Sequence, residues 1–356
     1  MRTRLLLLLA LLVVGIAACG DNTSSSGKSE ASAPKAKKSE LPEKFKAPVK
    51  VALVRQLGSG DFFQQWLIGA REQAKALNID LQVSDARNNN DQQATDLQRA
   101  IDQKPAAIIV DHGLAPTVNP LIDKAVKAGI PVVAFDVETK NPKVVSIQQS
   151  DVDAGKRSSE ELVKGIGGKG QVGYVYGAGF APLDRRNQGW KSIKAANPGV
   201  KQVAQFGKVS DSTASDTQEQ ANAAITAHPD DKAVLAPYDH FAKCDVLALN
   251  QANKKGVKVY GADISTADIA VLTKPDSPWV ATIATDPANV GRVAVRAAAL
   301  KYNGDPVDQE VLIKPSVITQ QFLRDKNIKT LEQLRAALPE LNTADTATAS
   351  WIPKSQ

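Results

Sequence analysis

Three aspartates occupy equivalent points in the sequence, because each one ends a short run of apolar residues. Asp136 ends AGIPVVAFD, Asp239 ends TAHPDDKAVLAPYD and Asp263 ends VKVYGAD. A carboxylate at a strand end accepts hydrogen bonds from hydroxyl groups, and the adjacent rings of Phe62 and Phe63 offer apolar faces to C–H groups. The pattern indicates a site for a small hydroxylated molecule. The alternative for each aspartate is a helix cap or an ordinary loop carboxylate.

The two phenylalanines lie where a predicted loop becomes a predicted helix. Residues 49–54 have the composition of a strand, and the loop Gly58-Ser59-Gly60 follows. The apolar residues at 63, 66, 67, 70, 74 and 77 have the spacing of a helix with one buried face. This is the first half of a βαβ unit, and the loop at the carboxyl end of such a strand is where ligands bind in open α/β sheets.

The same alternation of strand and helix patterns continues along the chain and then repeats. Four strand patterns precede residue 136, and a second set runs from residue 172 to residue 263. Strands separated by helices form parallel sheets, and 356 residues exceed what one core usually holds. The predicted fold class is therefore α/β, with two Rossmann-like lobes built on parallel sheets.

Composition and motifs exclude several classes of function. The net charge of +6 comes from dispersed lysines and from residues 28–46, which indicates a solvated surface and no nucleic-acid partner. The G-x-G-x-x-G phosphate motif fails because residue 63 is phenylalanine. The three histidines lack metal-ligand spacing, and C-x-x-C and H-E-x-x-H do not occur. We expect no cofactor, no metal site and no disulfide for Cys244.

The first twenty residues predict a processing signal. Arg2 and Arg4 precede an apolar run over residues 5–14, and Ile16-Ala17-Ala18-Cys19 resembles the bacterial lipobox. We expect residues 1–18 to be a signal peptide and Cys19 to carry a lipid that holds the protein outside the cytoplasm on a membrane. A plain signal peptide is the alternative. Residues 19–47, rich in Ser, Lys, Ala and Pro, are expected to form a flexible tether.

From Val49 to Leu323 the chain resembles the ribose-binding, or type I periplasmic, family of sugar-binding proteins of bacterial ABC importers. The order and spacing of VALVRQLGSGDFF, of the three strings that end in aspartate and of VATIATDPANVG carry the resemblance. It implies a monomer whose two lobes, joined by a three-strand hinge, close on a small sugar or polyol in their cleft, and which delivers that ligand to an ABC permease.

The resemblance also implies the domain boundaries. The crossovers would lie near residues 147–151, 284–287 and 311–314. The first lobe would hold residues 48–148 and 287–311, and the second lobe residues 149–286 and 312–340. The low-complexity residues 341–356 are expected to form a loose C-terminal tail.

Candidate ligand contacts combine the strand-end residues with positions that match the family. They are Gln56, Gly60, Phe62, Phe63, His112, Asp136, Val137, Asp184, Arg185, Arg186, Ser212, Tyr238, Asp239, Asp263 and Thr285. Several depart from the family pattern, since an arginine is replaced by Val137, asparagines by Gly60 and Tyr238, and a glutamine by Thr285. Asp184 falls where a further arginine is expected, with Arg185 and Arg186 beside it. These departures indicate a neutral hydroxylated ligand whose shape differs from that of ribose.

Two other functions remain open at this point. A tethered receptor for a sugar-like or autoinducer-like molecule, feeding a chemoreceptor or kinase, would have the same two lobes. An enzyme acting on carbohydrate would use Asp136 and Asp263 as acid and base. The sequence marks no nucleophile, so we expect a binding protein and not an enzyme.

Overall fold

The computed structural model describes residues 40–210 and 212–354, so the predicted signal peptide and Cys19 lie outside the described residues. The strands are β1 (Val49–Arg55), β2 (Ile79–Asp85), β3 (Ala107–Asp111), β4 (Val132–Phe135), β5 (Val145–Gln148), β6 (Gly170–Val175), β7 (Val200–Phe206), β8 (Asp231–Ala236), β9 (Lys258–Ala262), β10 (Trp279–Ala284), β11 (Glu310–Leu312) and β12 (Ser316–Thr319). The helices are α1 (Asp61–Ala76), α2 (Asn90–Asp102), α3 (Ala115–Lys127), α4 (Asp151–Gly165), α5 (Ala181–Ala196), α6 (Thr213–Ala227), α7 (Asp239–Gln251), α8 (Thr266–Leu272), α9 (Pro287–Asn303), α10 (Gln320–Asp325) and α11 (Leu331–Ala337).

The strands form two six-stranded sheets, which confirms the predicted fold class. The first sheet has the order β11-β5-β4-β3-β1-β2, and its strands are all parallel. The second has the order β12-β10-β9-β8-β6-β7, with β12 antiparallel to β10. Buried apolar clusters cover both faces of each sheet, as the continuous apolar strands β3 and β4 require.

Among the described residues the chain passes between the sheets after β5, after β10 and after β11. Helix α9 follows β10 of the second sheet in the chain and packs on α1 beside the first sheet. The apolar stretch 311–322 consists of β11 in the first sheet, β12 in the second and the start of α10. A periodicity of apolar residues reports burial and not the sheet to which a strand belongs.

Each lobe contains one pair of helices in backbone contact. A Cβ atom at Gly69 on α1 would lie 1.9 Å from the Ala288 carbonyl oxygen of α9. In the second lobe, a Cβ atom at Gly155 on α4 would lie 2.1 Å from the Arg186 carbonyl oxygen of α5. Because real Cβ atoms do not approach so closely, these glycines are required. The α4–α5 contact also fixes the backbone position from which the Arg186 side chain extends towards the cleft.

The ends of the described chain pack on the first lobe, so two expectations from the sequence are wrong there. Phe45, inside the predicted tether, is fully buried in the first core. The predicted loose tail also packs on the protein: Leu341 lies in the core of the second lobe, and farther along the chain Ile352 is 4% exposed in the first core, where the Trp351 ring lies 5.2 Å from the Phe45 ring. Arg296 on α9 donates to the Thr343 carbonyl oxygen at 2.6 Å. A few apolar residues in a polar stretch are enough to anchor it.

No helix in the described part of the chain is long and apolar enough to cross a bilayer.

Because the C-terminal tail is buried, we expect truncation of its Ile352 to lower stability more than truncation of the exposed Ile68. Ile352→Ala should lower the free energy of unfolding of the first lobe by about 2–5 kcal/mol, because it removes a packed side chain from a core. Ile68→Ala, at a side chain that is 46% exposed, should change it by only about 0.5 kcal/mol. Urea denaturation followed by tryptophan fluorescence measures both. Equal effects would show that the tail does not contribute to the core.

Candidate functional site

A cavity lies between the two lobes, at the carboxyl ends of the parallel strands. Its volume is about 50 Å³, well below the range of about 300–1,000 Å³ that is usual for small-molecule pockets, so the two lobes leave little empty space between them in this arrangement. It is lined by Gln56, Leu57, Phe62, Phe63, His112, Gln149, Phe180, Pro182, Leu183, Arg186, Val209, Tyr238 and Asp263.

Arg186 is the buried cation of the cavity wall. Its Nη1 and Nη2 donate to the two carboxylate oxygens of Asp263, each at 2.9 Å, and its Nε donates to Asp151 at 2.9 Å. Nη1 also donates to the Pro237 carbonyl oxygen. Among the described residues one Nη2 hydrogen has no acceptor, so it remains to donate to a ligand in the cavity.

Arg185, the residue before Arg186 on α5, connects the two lobes. It donates to Asp151 of its own lobe at 2.8 Å and across the cleft to Asp136 and to Glu138, the latter at 2.5 Å. Asp136 is fully buried, whereas the Glu138 side chain is 61% exposed at the mouth of the cleft. Opposite charges from different lobes therefore meet in this closed arrangement.

A second group of linked charged side chains, Arg55, Asp111 and His112, lies on the first lobe's side of the cavity. Arg55 Nε donates to Asp111 at 2.6 Å, and the other Asp111 oxygen lies 2.7 Å from His112 Nδ1. Burial opposes ionisation of Asp111, but the Arg55 charge and the His112 hydrogen bond outweigh it and lower the pKa of Asp111. Burial likewise opposes protonation of His112, yet the Asp111 hydrogen bond and charge raise the pKa of His112. His112 Nε2 faces Asp136 Oδ2 at 3.8 Å.

The carboxyl groups nearest the cavity resist ionisation. Burial and then the negative charge of Asp151 raise the pKa of Asp136 to about 7, although Arg185 opposes the shift. Burial also raises the pKa of Asp263, against the attraction of Arg186. Because Arg186 is already paired with the Asp263 and Asp151 carboxyl groups, the cavity wall suits an uncharged ligand better than an anion or a cation.

The backbone is turned at the residues that carry these groups. His112, Asp136, Ser150 and Asp263 all have left-handed conformations, with φ between 51° and 70°. Three of them directly follow a strand of the cleft. Such conformations are uncommon for residues other than glycine and occur often at binding sites.

Apolar side chains form the rest of the cavity wall. Phe62 and Phe63 are in edge-to-face contact at 5.5 Å, and Phe63 also contacts the His112 ring. Leu183 and Val209 are neighbours, since a Cβ atom at Gly177 would meet both of them. The cavity therefore combines hydrogen-bonding groups with a large apolar surface.

The predicted site residues fall into three groups in the structure. Those that line the cavity are Gln56, Phe62, Phe63, His112, Arg186, Tyr238 and Asp263. Those that contact lining residues without lining the cavity themselves are Asp136, Thr285 and Gly60, and Arg185 shares its partner Asp151 with the lining residue Arg186. Those placed elsewhere are Val137, Asp184, Ser212 and Asp239, of which Val137 is in the first lobe's apolar core and Asp184 accepts from Tyr176.

Asp239 has a different partner from the one expected. It lies with Asp61 and Asp268 around the Lys243 ammonium, at Nζ–O distances of 3.3, 2.6 and 2.9 Å. Asp61 belongs to the first lobe and the other three residues to the second, so this cluster also joins the lobes. The lysine already occupies the place that a metal ion would take among these carboxylates.

Sequence reasoning missed several lining residues. They are Leu57, Gln149, Phe180, Pro182, Leu183 and Val209. Gln149 and Val209 lie in connections without periodicity, while Leu183 lies in the first turn of α5. Proximity to predicted strand ends was the available signal for Leu57 and Gln149.

Comparisons with known proteins agree with this geometry. Residues 51–306 match the family described as "Periplasmic binding protein domain". The ribose import binding protein RbsB of Escherichia coli is 28% identical over 275 residues, covering 74% of this chain and 90% of that protein. The xylitol-binding protein of Mycolicibacterium smegmatis is 28% identical over 197 residues, or 53% of this chain and 55% of that protein.

A solved structure is more similar still. The 5-methylthioribose transporter solute binding protein of Thermotoga lettingae, in complex with 5-methylthioribose, is 41% identical, with a TM-score of 0.84. The match covers 85% of this chain and 97% of that one.

The pKa of Asp136 predicts a pH-dependent stability. Because its pKa is raised to about 7 from 3.8, the folded protein keeps a proton that the unfolded chain releases above about pH 4. The stability from this proton is present below about pH 4 and is lost as pH rises through about 7. Asp136→Asn stays neutral, so its melting temperature should rise relative to the parent's between about pH 5 and pH 8.

Thermal melts of both proteins across that range measure the difference. Asp80→Asn, at an exposed aspartate of the first lobe, is the matched control and should follow the parent at every pH. A constant offset between Asp136→Asn and the parent would contradict the assigned titration.

Proposed function

This chain belongs to the periplasmic binding protein domain family, and we propose that it is the solute-binding protein of an ABC importer for a small sugar or polyol. The observation that carries the proposal is a cavity between two lobes, walled by the Arg186–Asp263 ion pair together with aromatic rings. Relatives described as ribose import and xylitol-binding proteins support the same class of ligand.

The ligand that we propose is a pentose with an apolar substituent, of the kind represented by 5-methylthioribose. The protein of Thermotoga lettingae that holds this sugar supports the choice, at 41% identity. The cavity supports it independently, because Leu57, Leu183 and Val209 add apolar surface that hydroxyl groups alone would not use. The substituent would lie against Leu183 and Val209.

The remaining groups suit the hydroxyls of the sugar. Asp263 lines the cavity and accepts hydrogen bonds, and the unpaired Nη2 hydrogen of Arg186 donates one. Gln56 Oε1 has no hydrogen-bond partner among the described residues and is a further acceptor. Phe62 and Phe63 would pack on the C–H faces of the ring.

Binding would stabilise the closed arrangement of the lobes. With the lobes apart, Arg185 and Asp136 face water separately, and Lys243 loses Asp61. A ligand that contacts both lobes favours the state in which these pairs form. The closed protein would deliver the ligand to its permease without changing it chemically, as a monomer.

We also propose that Cys19 anchors the protein to a membrane by a lipid. The basic start, the apolar run and the Ile16-Ala17-Ala18-Cys19 segment support this proposal. Residues between Cys19 and the first lobe would then act as the tether.

Calorimetric titration tests the proposed ligand. 5-Methylthioribose should bind about tenfold or more tightly than D-ribose, because burial of the methylthio group adds roughly 1.5 kcal/mol or more. Val209→Thr keeps the side-chain shape but adds a hydroxyl group, and should reduce the ratio several-fold while ribose affinity changes little. Equal affinity of the parent protein for both sugars would contradict the apolar subsite, and failure to bind any pentose, hexose or polyol would contradict the function.

A single substitution tests the anchor. Full-length protein expressed in a bacterial host should fractionate with membranes and incorporate labelled palmitate, whereas Cys19→Ser should do neither. Cys244→Ser, at the cysteine of the second lobe, is the control and should behave as the parent. Membrane association of Cys19→Ser would overturn the lipid assignment.

A further inference from the structure

Gln149 is a buried amide that connects the cavity to both hinge segments near it. It lies between β5 and α4, is 3% exposed and lines the cavity. Its Oε1 accepts a hydrogen bond of 2.6 Å from the hydroxyl group of Thr285, which lies between β10 and α9. Its Nε2 lies 3.5 Å from Asp136 Oδ2.

The Thr285 hydroxyl group fixes the orientation of this amide. Thr285 is itself 2% exposed, and its donated hydrogen bond holds the amide oxygen on the hinge side. Both Nε2 hydrogens then point towards Asp136 and the cavity. The opposite orientation would place the amide oxygen against a carboxyl oxygen and leave the cavity without this donor.

The distances around Asp136 Oδ2 leave Gln149 Nε2 without a short hydrogen bond. Gln149 Nε2 and His112 Nε2 lie 3.5 and 3.8 Å from it, both at or beyond the limit of a normal hydrogen bond. Gln149 lines the cavity, so a ligand oxygen there can accept a hydrogen bond from Nε2. A ligand with a hydrogen in place of that hydroxyl group cannot accept this bond.

We propose that Gln149 is a specificity-determining contact for one sugar hydroxyl group, and that Thr285 is its positioning residue. This inference rests on the proposed function and adds a residue to its site. Because the two side chains come from different connections between the lobes, the ligand that engages Gln149 also links both hinge segments in the closed state.

A double-mutant cycle tests the positioning role, with 5-methylthioribose and D-ribose as probes. Thr285→Val keeps the side-chain shape but loses the donor, and should weaken binding about tenfold. Thr285→Ser restores the donor and should bind within about twofold of the parent. In a Gln149→Ala background, Thr285→Val should have no further effect, because it acts through the missing amide.

The outcomes separate this inference from the function on which it rests. An equal loss from Thr285→Val in the presence and absence of Gln149 would show a general structural role and overturn the proposal, as would parental affinity of Thr285→Val or Gln149→Ala. Thr285→Val leaves a buried oxygen of Gln149 without its donor and should lower the ligand-free melting temperature relative to Thr285→Ser, so affinities are measured at a temperature at which both variants are folded. If the parent binds neither sugar nor any other polyol, the proposed function fails and this inference fails with it.

Discussion

The pairing of two adjacent buried arginines with carboxyl groups is the interaction on which the rest of the structure depends. Arg185 and Arg186 leave α5 side by side, and Asp151 at the start of α4 accepts from both of them. A buried guanidinium without a partner would cost several kcal/mol, so the surrounding carboxyl groups are as necessary as the arginines. The backbone contact at Gly155 holds α4 and α5 close enough for this arrangement.

The two arginines have different roles, since Arg186 belongs to the wall that would recognise a ligand and Arg185 to the contacts that hold the lobes closed. Arg186 keeps its bidentate pair with Asp263 inside the second lobe, so the cavity wall has the same charges whether the lobes are apart or together. Arg185 pairs across the cleft with Asp136, and Lys243 pairs across it with Asp61. Ion pairs that water surrounds contribute little to stability, and these two pairs form only when the lobes are closed. A ligand between the lobes shifts the balance towards the closed state.

The sequence predicted the fold well because apolar strands followed by helices leave few arrangements. Asp263 and Phe63, two of its predicted ligand contacts, line the cavity, because the ends of strands and the starts of helices are visible as changes of pattern. The sequence could not separate Asp239, which pairs with Lys243, from Asp263, because both follow similar strands. Gln149 and Val209 lie in connections, where no periodicity of apolar residues indicates which way a side chain faces. Trp351 packs through a tertiary contact that local sequence does not encode.

The central claim is that a hydroxylated ligand with an apolar substituent occupies the cavity between the lobes. A crystal structure of the protein grown with saturating 5-methylthioribose tests it most directly. The account predicts sugar hydroxyls within hydrogen-bond distance of Asp263 and Arg186, and the methylthio group against Leu183 and Val209. Electron density for the sugar outside the cleft, or an empty cavity at saturating sugar, would contradict it.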